Sequence, residues 1–179
     1  IPLSVVFDLD AEQLTLLILS AAPVFSIGLA EDLGYDMSPK ARLIASAASS
    51  LIAILLFKVW LSKLGIPGVD TLLMFAPFGI LFTIFATVGV VNAFNLIDGL
   101  NGLSSYVTVS VAVSLSVIAL QAGNAQVSIF LVLVVAAVLG FMALNFPMGK
   151  IFLGDGGAYA LGHLLVWSAI ILITDATEV

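Results

Sequence analysis

The sequence predicts an all-α protein, a polytopic bundle of about six transmembrane helices, and three observations support this. First, 62% of the 179 residues are hydrophobic and 9% are charged, whereas soluble domains average about 45–50% and about 25%. Second, the apolar residues form long runs near the length of about 20 residues that a helix needs to cross a bilayer. Third, the runs are separated by short segments rich in Gly, Pro, Asn and Asp, which favour turns. Helix is expected because lipid offers the backbone no hydrogen-bond partners.

Six apolar runs define the predicted spans. Ser38 and Pro39 begin the second helix, since Ser caps a helix N-terminus and Pro fits the first turn. Pro23 and Pro77 fall inside the first and third runs, where each is expected to kink its helix. No repeat divides the chain, so residues 1–179 are predicted to form a single transmembrane domain. The predicted spans are 13–30, 43–61, 71–91, 103–120, 127–144 and 158–174.

The composition excludes several kinds of function. The net charge of -6 comes from 11 acids and 5 bases, which argues against a nucleic-acid partner and against attraction of anionic substrates by bulk charge. A phosphate-bearing substrate would therefore need a bound cation. There are no cysteines, so disulfides and thiolate metal sites are excluded. The single histidine, His163, excludes a multi-histidine metal site within the chain, and it is interpreted as a packed residue that hydrogen-bonds between helices.

Counting the spans places three loops that carry acids and glycines on one side of the membrane. These loops are 31–42, 92–102 and 145–157, and the other side receives only short turns and the two chain ends. Lys and Arg near span ends favour the cytoplasmic side. The acidic loops are therefore predicted to be cytoplasmic, since three of the five basic residues lie with them: Lys40, Arg42 and Lys150.

Two of these loops carry candidate metal ligands. Asn92, Asn95 and Asp98 are spaced three apart, so they share one stripe of a helix and offer oxygen ligands for a hard cation. The alternative is a polar helix cap with an Asx turn. Asp155 lies among glycines before a predicted helix, where free backbone N–H groups attract phosphate and Mg²⁺ could bridge the acid to it. The alternative there is a simple Gly/Asp turn.

The third loop carries adjacent acids, Glu31 and Asp32. They are either solvated loop residues or carboxylates that bind metal or accept a proton. Because adjacent side chains on a helix diverge by about 100°, only one of them, Asp32, is expected to face a site. The placement of all three loops on one side favours a shared site over three unrelated turns.

Two motifs carry a family resemblance. The segments NAFNLIDGLNGL at 92–103 and NFPMGKIFLGDGG at 145–157 resemble the polyprenyl-phosphate N-acetylhexosamine-1-phosphate transferases, glycosyltransferase family 4. The resemblance covers about residues 27–174. It implies transfer of an N-acetylhexosamine-1-phosphate from a UDP-sugar to undecaprenyl phosphate, with release of UMP, at the start of cell-wall or surface-polysaccharide synthesis. It also implies Mg²⁺, with Mn²⁺ as the alternative, a bacterial plasma membrane and catalytic loops in the cytoplasm; a homodimer is compatible with it.

The resemblance assigns roles to individual residues. Glu31 departs from the Asp of the family's acidic pair, so Asp32 is the safer match. Family members have about ten spans and a histidine-rich loop that this chain lacks, which implies a fragment truncated at both ends that need not be active by itself. The identity of the sugar stays open. The implied roles are metal-binding for Asp155 and Asn95 and catalytic for Asp32 and Asp98. Glu31 and Asn92 are further candidates for substrate binding. By charge, Lys150, Lys40 or Arg42 could contact a phosphate, and Lys150 is the choice among them.

Two other classes of membrane protein are alternatives. An intramembrane aspartyl protease is faintly suggested by Tyr35-Asp36 and Gly154-Asp155, but Phe152 stands where that motif needs glycine. A transporter or channel would place acids within its spans. The acids here lie at span ends on one face, which favours a surface site.

Overall fold

The computed structural model describes residues 11–177; the first ten residues and the last two, and with them the ends of the predicted 1–179 domain, lie outside this range. The described residues form eight α-helices and no strand. The helices are α1 Ala11–Ser20, α2 Ala22–Asp32, α3 Pro39–Phe57, α4 Val69–Leu73, α5 Ala76–Ile97, α6 Leu103–Gln121, α7 Ala125–Asn145 and α8 Gly154–Thr177.

Five of these helices are long and apolar enough to cross a membrane, and α1 with α2 forms a sixth span if the bent pair is counted as one. The all-α polytopic bundle is therefore confirmed. The α1–α2 pair bends by 46° at a break followed by Pro23 in the first turn of α2. Proline lacks the N–H that would continue the ladder of hydrogen bonds, so the predicted kink at Pro23 is confirmed.

Pro77, like Pro23, follows a break in its run and lies in the first turn of the next helix. It therefore begins α5, a position that suits proline, and does not kink a continuous helix. The apolar run that begins near residue 71 is divided between the short helix α4 and α5, so the third span starts and ends later than predicted. The predicted cap of α3 is confirmed, since the Ser38 hydroxyl accepts the Ala41 N–H at 3.2 Å.

The most buried span is α8, which packs against α2 and α5. Tyr159, His163 and Trp167 on α8 are almost fully buried. The His163 Nε2 atom lies 2.9 Å from the Ser20 hydroxyl at the end of α1, which confirms the interpretation of His163 as an interhelical hydrogen-bonding residue. The other spans expose many Leu, Phe, Ile and Val side chains, as expected of surfaces that face lipid.

Two glycines bring α8 unusually close to its neighbours. A Cβ at Gly28 of α2 would lie 2.5 Å from the Gly156 backbone nitrogen, and a Cβ at Gly162 of α8 would lie 3.0 Å from the Phe94 side chain. Glycine permits this approach because it has no side chain. The first crossing places the N-terminus of α8 directly beside the C-terminus of α2, and this contact builds the site described next.

Candidate functional site

Asp32 caps a helix to which it does not belong. As the last residue of α2, it accepts the Asp155 N–H on Oδ1 at 2.8 Å and the Gly156 N–H on Oδ2 at 3.0 Å. The first N–H groups of a helix have no partner within that helix and carry partial positive charge. Gly154 has φ +72°, and a Cβ there would lie 2.6 Å from Asp32 Oδ2. The sequence Gly-Asp-Gly therefore fits the carboxylate closely.

Asp155 is held from a third helix. Its Oδ1 accepts a hydrogen bond of 2.6 Å from Asn95 Nδ2, in the last turn of α5. The predicted convergence of Asp32, Asn95 and Asp155 is thus observed in the structure, although their chemical roles stay predictions. Asn95 contacts Asp155 through its amide nitrogen, which leaves the amide oxygen as its potential metal ligand.

Asp98 follows α5 as its C-terminal capping residue, and the Ser104 hydroxyl donates a short hydrogen bond to it. Burial raises the pKa of Asp98 above its usual value; the Ser104 bond acts in the opposite direction, and the charges of Asp155 and Asp32 raise it further. Three carboxylates from three chain segments therefore interact electrostatically. A cluster of like charges of this kind favours a bound cation.

Glu31 also faces the site, so the expectation that only Asp32 would do so is wrong. Glu31 Oε1 pairs with Arg42 Nη1 of α3 at 3.4 Å, and its carboxyl group interacts with that of Asp155. Both acids reach the site because α2 ends at Asp32 and the N-terminus of α8 crosses that end. The second oxygen, Glu31 Oε2, is buried without a hydrogen-bond partner.

Asn92 and Lys150 have different surroundings. Asn92 Nδ2 donates to Val88 O at 2.8 Å and to Ser46 Oγ at 3.4 Å, and its side chain lines a cleft between α3 and α5. Lys150 is exposed in the loop before α8, where its backbone N–H donates to Leu144 O at 3.1 Å. The structure does not bring the Lys150 side chain to the acids. Both substrate-binding assignments stay predictions.

Sequence reasoning missed three residues that shape the site. Tyr159 lies beside Arg42 in the same cleft, and its position one helical turn after Asp155 was the available signal. Ser104 contacts Asp98, and its position at the second residue of a helix was the signal. Asn145 is 5% exposed and contacts two loops; a polar residue that ends a long apolar run was the signal.

The donor set of these residues fits a hard divalent cation. Carboxylate and amide oxygens converge, and Glu31 Oε2 is a buried oxygen that lacks a donor. Among residues 11–177, no three His, Cys, Asp or Glu side chains are arranged to enclose a metal by themselves. Mg²⁺ commonly takes one or two protein carboxylates and completes its shell with water and substrate phosphate.

The fold and the site define a polytopic helical membrane protein with an acidic, oxygen-rich site at one end of the bundle. The model of glycosyl transferase family 4 matches residues 14–173, so the chain belongs to this family.

Relatives of two kinds support the assignment. The undecaprenyl-phosphate alpha-N-acetylglucosaminyl 1-phosphate transferase of Escherichia coli K12 is 28% identical over 90% of the chain and 45% of that protein. A phospho-N-acetylmuramoyl-pentapeptide-transferase of Clostridium perfringens strain 13 is 38% identical over 62% of the chain and 35% of the relative. The same-named protein of Anoxybacillus flavithermus is 42% identical over 59% of the chain and 33% of the relative. The chain thus spans less than half the length of each.

Proposed function

We propose that this chain carries the catalytic core of an enzyme that transfers an N-acetylhexosamine-1-phosphate from a UDP-sugar to undecaprenyl phosphate. We also propose that the enzyme requires Mg²⁺, with Mn²⁺ as the alternative, that it lies in a bacterial plasma membrane and that its active-site loops are in the cytoplasm. A homodimer is compatible with it. Both kinds of relative handle a sugar phosphate or an undecaprenyl phosphate by name, and the proposal extends that chemistry to this chain.

The observation that carries the proposal is the meeting of Asp32, Asn95 and Asp155 at 2.6–2.8 Å. The three residues come from different helices and lie at one end of the bundle. Phosphoryl transfer asks the protein for positioning and for neutralisation of charge more than for covalent chemistry. A divalent cation would supply that neutralisation at the diphosphate.

The protein residues would divide the work between them. Asp155 and the Asn95 amide oxygen would hold the metal ion, and Asp32 would keep Asp155 in place through the backbone of α8. Asp98 or Asp32 would keep the lipid phosphate ionised or help to place the metal. The lipid phosphate oxygen would form a bond to the sugar-linked phosphorus as the bond from that phosphorus to the UMP oxygen breaks, so UMP leaves and a diphosphate-linked lipid remains.

A cleft between α3 and α5 suits the approach of the lipid. It has a volume of about 320 Å³ and opens beside the carboxylates. Its apolar lining suits a prenyl chain, while Arg42, which already contacts Glu31, is placed to meet a phosphate. The cleft is lined by Pro39, Arg42, Leu43, Asn92, Asn95, Leu96 and Tyr159.

The two rival functions lack a comparable observation. Asp36, which an aspartyl protease would need beside Asp155, is exposed in the loop after α2. The carboxylates that do converge lie at helix ends, whereas a transport path would place acids within the spans.

The proposal is tested with membranes that contain the chain within a full-length protein, supplied with undecaprenyl phosphate, Mg²⁺ and a panel of radiolabelled UDP-N-acetyl sugars. We expect UMP release and a labelled lipid with at least one donor. Asp155→Asn should abolish turnover, because the amide keeps the size of the side chain but loses its negative charge. A wild-type preparation that binds Mg²⁺ yet releases no UMP with any donor would contradict the proposal. The donor panel also identifies the sugar.

A further inference from the structure

We infer that Asn145 is a positioning residue that joins the two loops of the site and thereby sets the spacing of Asp98 and Asp155. The inference rests on the proposed function for its chemistry, but its geometry stands on the contacts of one side chain. Asn145 is the last residue of α7 and is 5% exposed.

Both ends of the Asn145 amide are engaged, each by a different loop. Its Oδ1 accepts the N–H of Gly102 at 2.7 Å, and its Nδ2 donates to the Ile151 carbonyl at 2.8 Å. Gly102 lies four residues after Asp98, and Ile151 lies four residues before Asp155. One side chain therefore links the backbone segments that lead to the two acids.

Neighbouring contacts show how tightly the two loops are fitted. Gly102 has φ +81°, and a Cβ there would lie 2.9 Å from the Phe146 ring. A Cβ at Gly149 would lie 2.7 Å from Asn101 Nδ2. Gly149 has φ +60°, so both positions favour glycine. The Asn145 amide makes a buried polar connection inside this junction.

Only an amide of this length can fill the role. Aspartate keeps the acceptor for the Gly102 N–H but has no N–H for the Ile151 carbonyl, and leucine of similar size offers neither. The Gly102 N–H bond is buried, so its loss leaves an unsatisfied donor, which costs more than an ordinary hydrogen bond contributes. The loops are then expected to separate while the helices stay packed.

The chain offers a matched control at the opposite end of the same α6–α7 hairpin. Asn124 caps α7 by accepting the Val127 N–H at 3.0 Å and donates to Asp175 Oδ2 at 2.7 Å. It too uses both ends of its amide, but it lies a full helix length from the carboxylates. Asn145→Leu and Asn124→Leu therefore remove similar bonds at opposite ends.

The first readout is kinetic. For Asn145→Leu and Asn145→Asp we expect kcat to fall at least about tenfold and the Mg²⁺ concentration for half-maximal rate to rise, with the KM for the UDP-sugar changed less than about threefold. Asn124→Leu should lower thermal stability but leave all three parameters unchanged. A rise in KM alone for the Asn145 variants would instead make Asn145 a substrate contact and overturn the inference.

The second readout needs no activity, so it separates failure of the inference from failure of the proposed function. The chain has no cysteine, and Leu100 and Phe152 are 69% and 77% exposed on the two loops. Spin labels on Leu100→Cys and Phe152→Cys report the distance between the loops by double electron–electron resonance. Asn145→Leu should broaden or lengthen this distance distribution and Asn124→Leu should not. Identical distributions in the two variants would refute the inference, whether or not the wild type releases UMP.

Discussion

The close approach of α2 and α8 gives the sharpest test of how the site is built, through the substitution Gly28→Ala. The added Cβ would lie 2.5 Å from the Gly156 nitrogen, 2.6 Å from its Cα and 2.7 Å from the Asp155 carbonyl carbon. All three are backbone atoms, so no side chain can rotate away. Restoring van der Waals contact requires the helices to separate by about 1 Å at this point.

The consequence falls on Asp32, four residues further along α2. A separation of about 1 Å would stretch both of its hydrogen bonds, to Asp155 and Gly156, beyond useful length. Overpacking and weakening of these bonds should together lower the free energy of unfolding by about 2–4 kcal/mol. Displacement of Asp155 by that distance should lower turnover by about 10²-fold.

The measurements are denaturation in detergent micelles and UMP release, with Gly140→Ala as the matched control. Gly140 lies within α7, and a Cβ there would meet nothing within 4 Å. Alanine at this site should stabilise the helix by up to about 1 kcal/mol, because it forms helix more readily than glycine. If Gly28→Ala matched Gly140→Ala in both stability and turnover, the argument that glycine sets the α2–α8 distance would be refuted.

Three further predictions concern the carboxylates. Asp32→Asn keeps one acceptor for the two N–H groups of α8, so unfolding free energy should fall by about 1–2 kcal/mol in denaturation experiments; unchanged stability would contradict its capping role. Arg42→Gln removes the cation beside Glu31 and should destabilise the metal-free protein by about 1 kcal/mol or less, and Mg²⁺ should reduce the loss; a loss that Mg²⁺ leaves untouched would count against a cation at this site. Because burial and neighbouring acids raise the pKa of Asp98, its ionised form destabilises the metal-free fold at neutral pH, and this cost is relieved as the pH falls through the raised pKa. As the pH is lowered, the Mg²⁺ affinity measured by calorimetry should therefore begin to fall at a pH above the ordinary Asp pKa of about 3.9. Asp98→Asn should flatten that pH dependence.

Much of the fold could be read from local properties of the chain. The length and hydropathy of each run predicted the spans, and Pro23 and Ser38 marked a kink and a helix start that the structure contains. Pro77 was misread because an apolar run does not reveal where within it a helix begins. The same apolar run forms α4, a turn and α5. Only the turn before Ala76 places Pro77 at the start of a helix.

The site was predicted in outline but not in its contacts. Counting spans was enough to place Asp32, Asp98 and Asp155 at one end of the bundle. It could not show that Asp32 bonds the backbone of α8 or that Glu31 also faces the site. Nor could it show that Asn145 joins two loops.

The sequence by itself determined the class of protein and the gathering of its polar loops at one end of the bundle, because hydropathy and the number of crossings are properties of the chain read in order. The tertiary structure decided which atoms meet. Asp32 and Asp155 are separated by 123 positions, and their contact depends on how closely α2 and α8 cross. That distance is set where Gly28 meets Gly156, a pairing that neither local sequence contains.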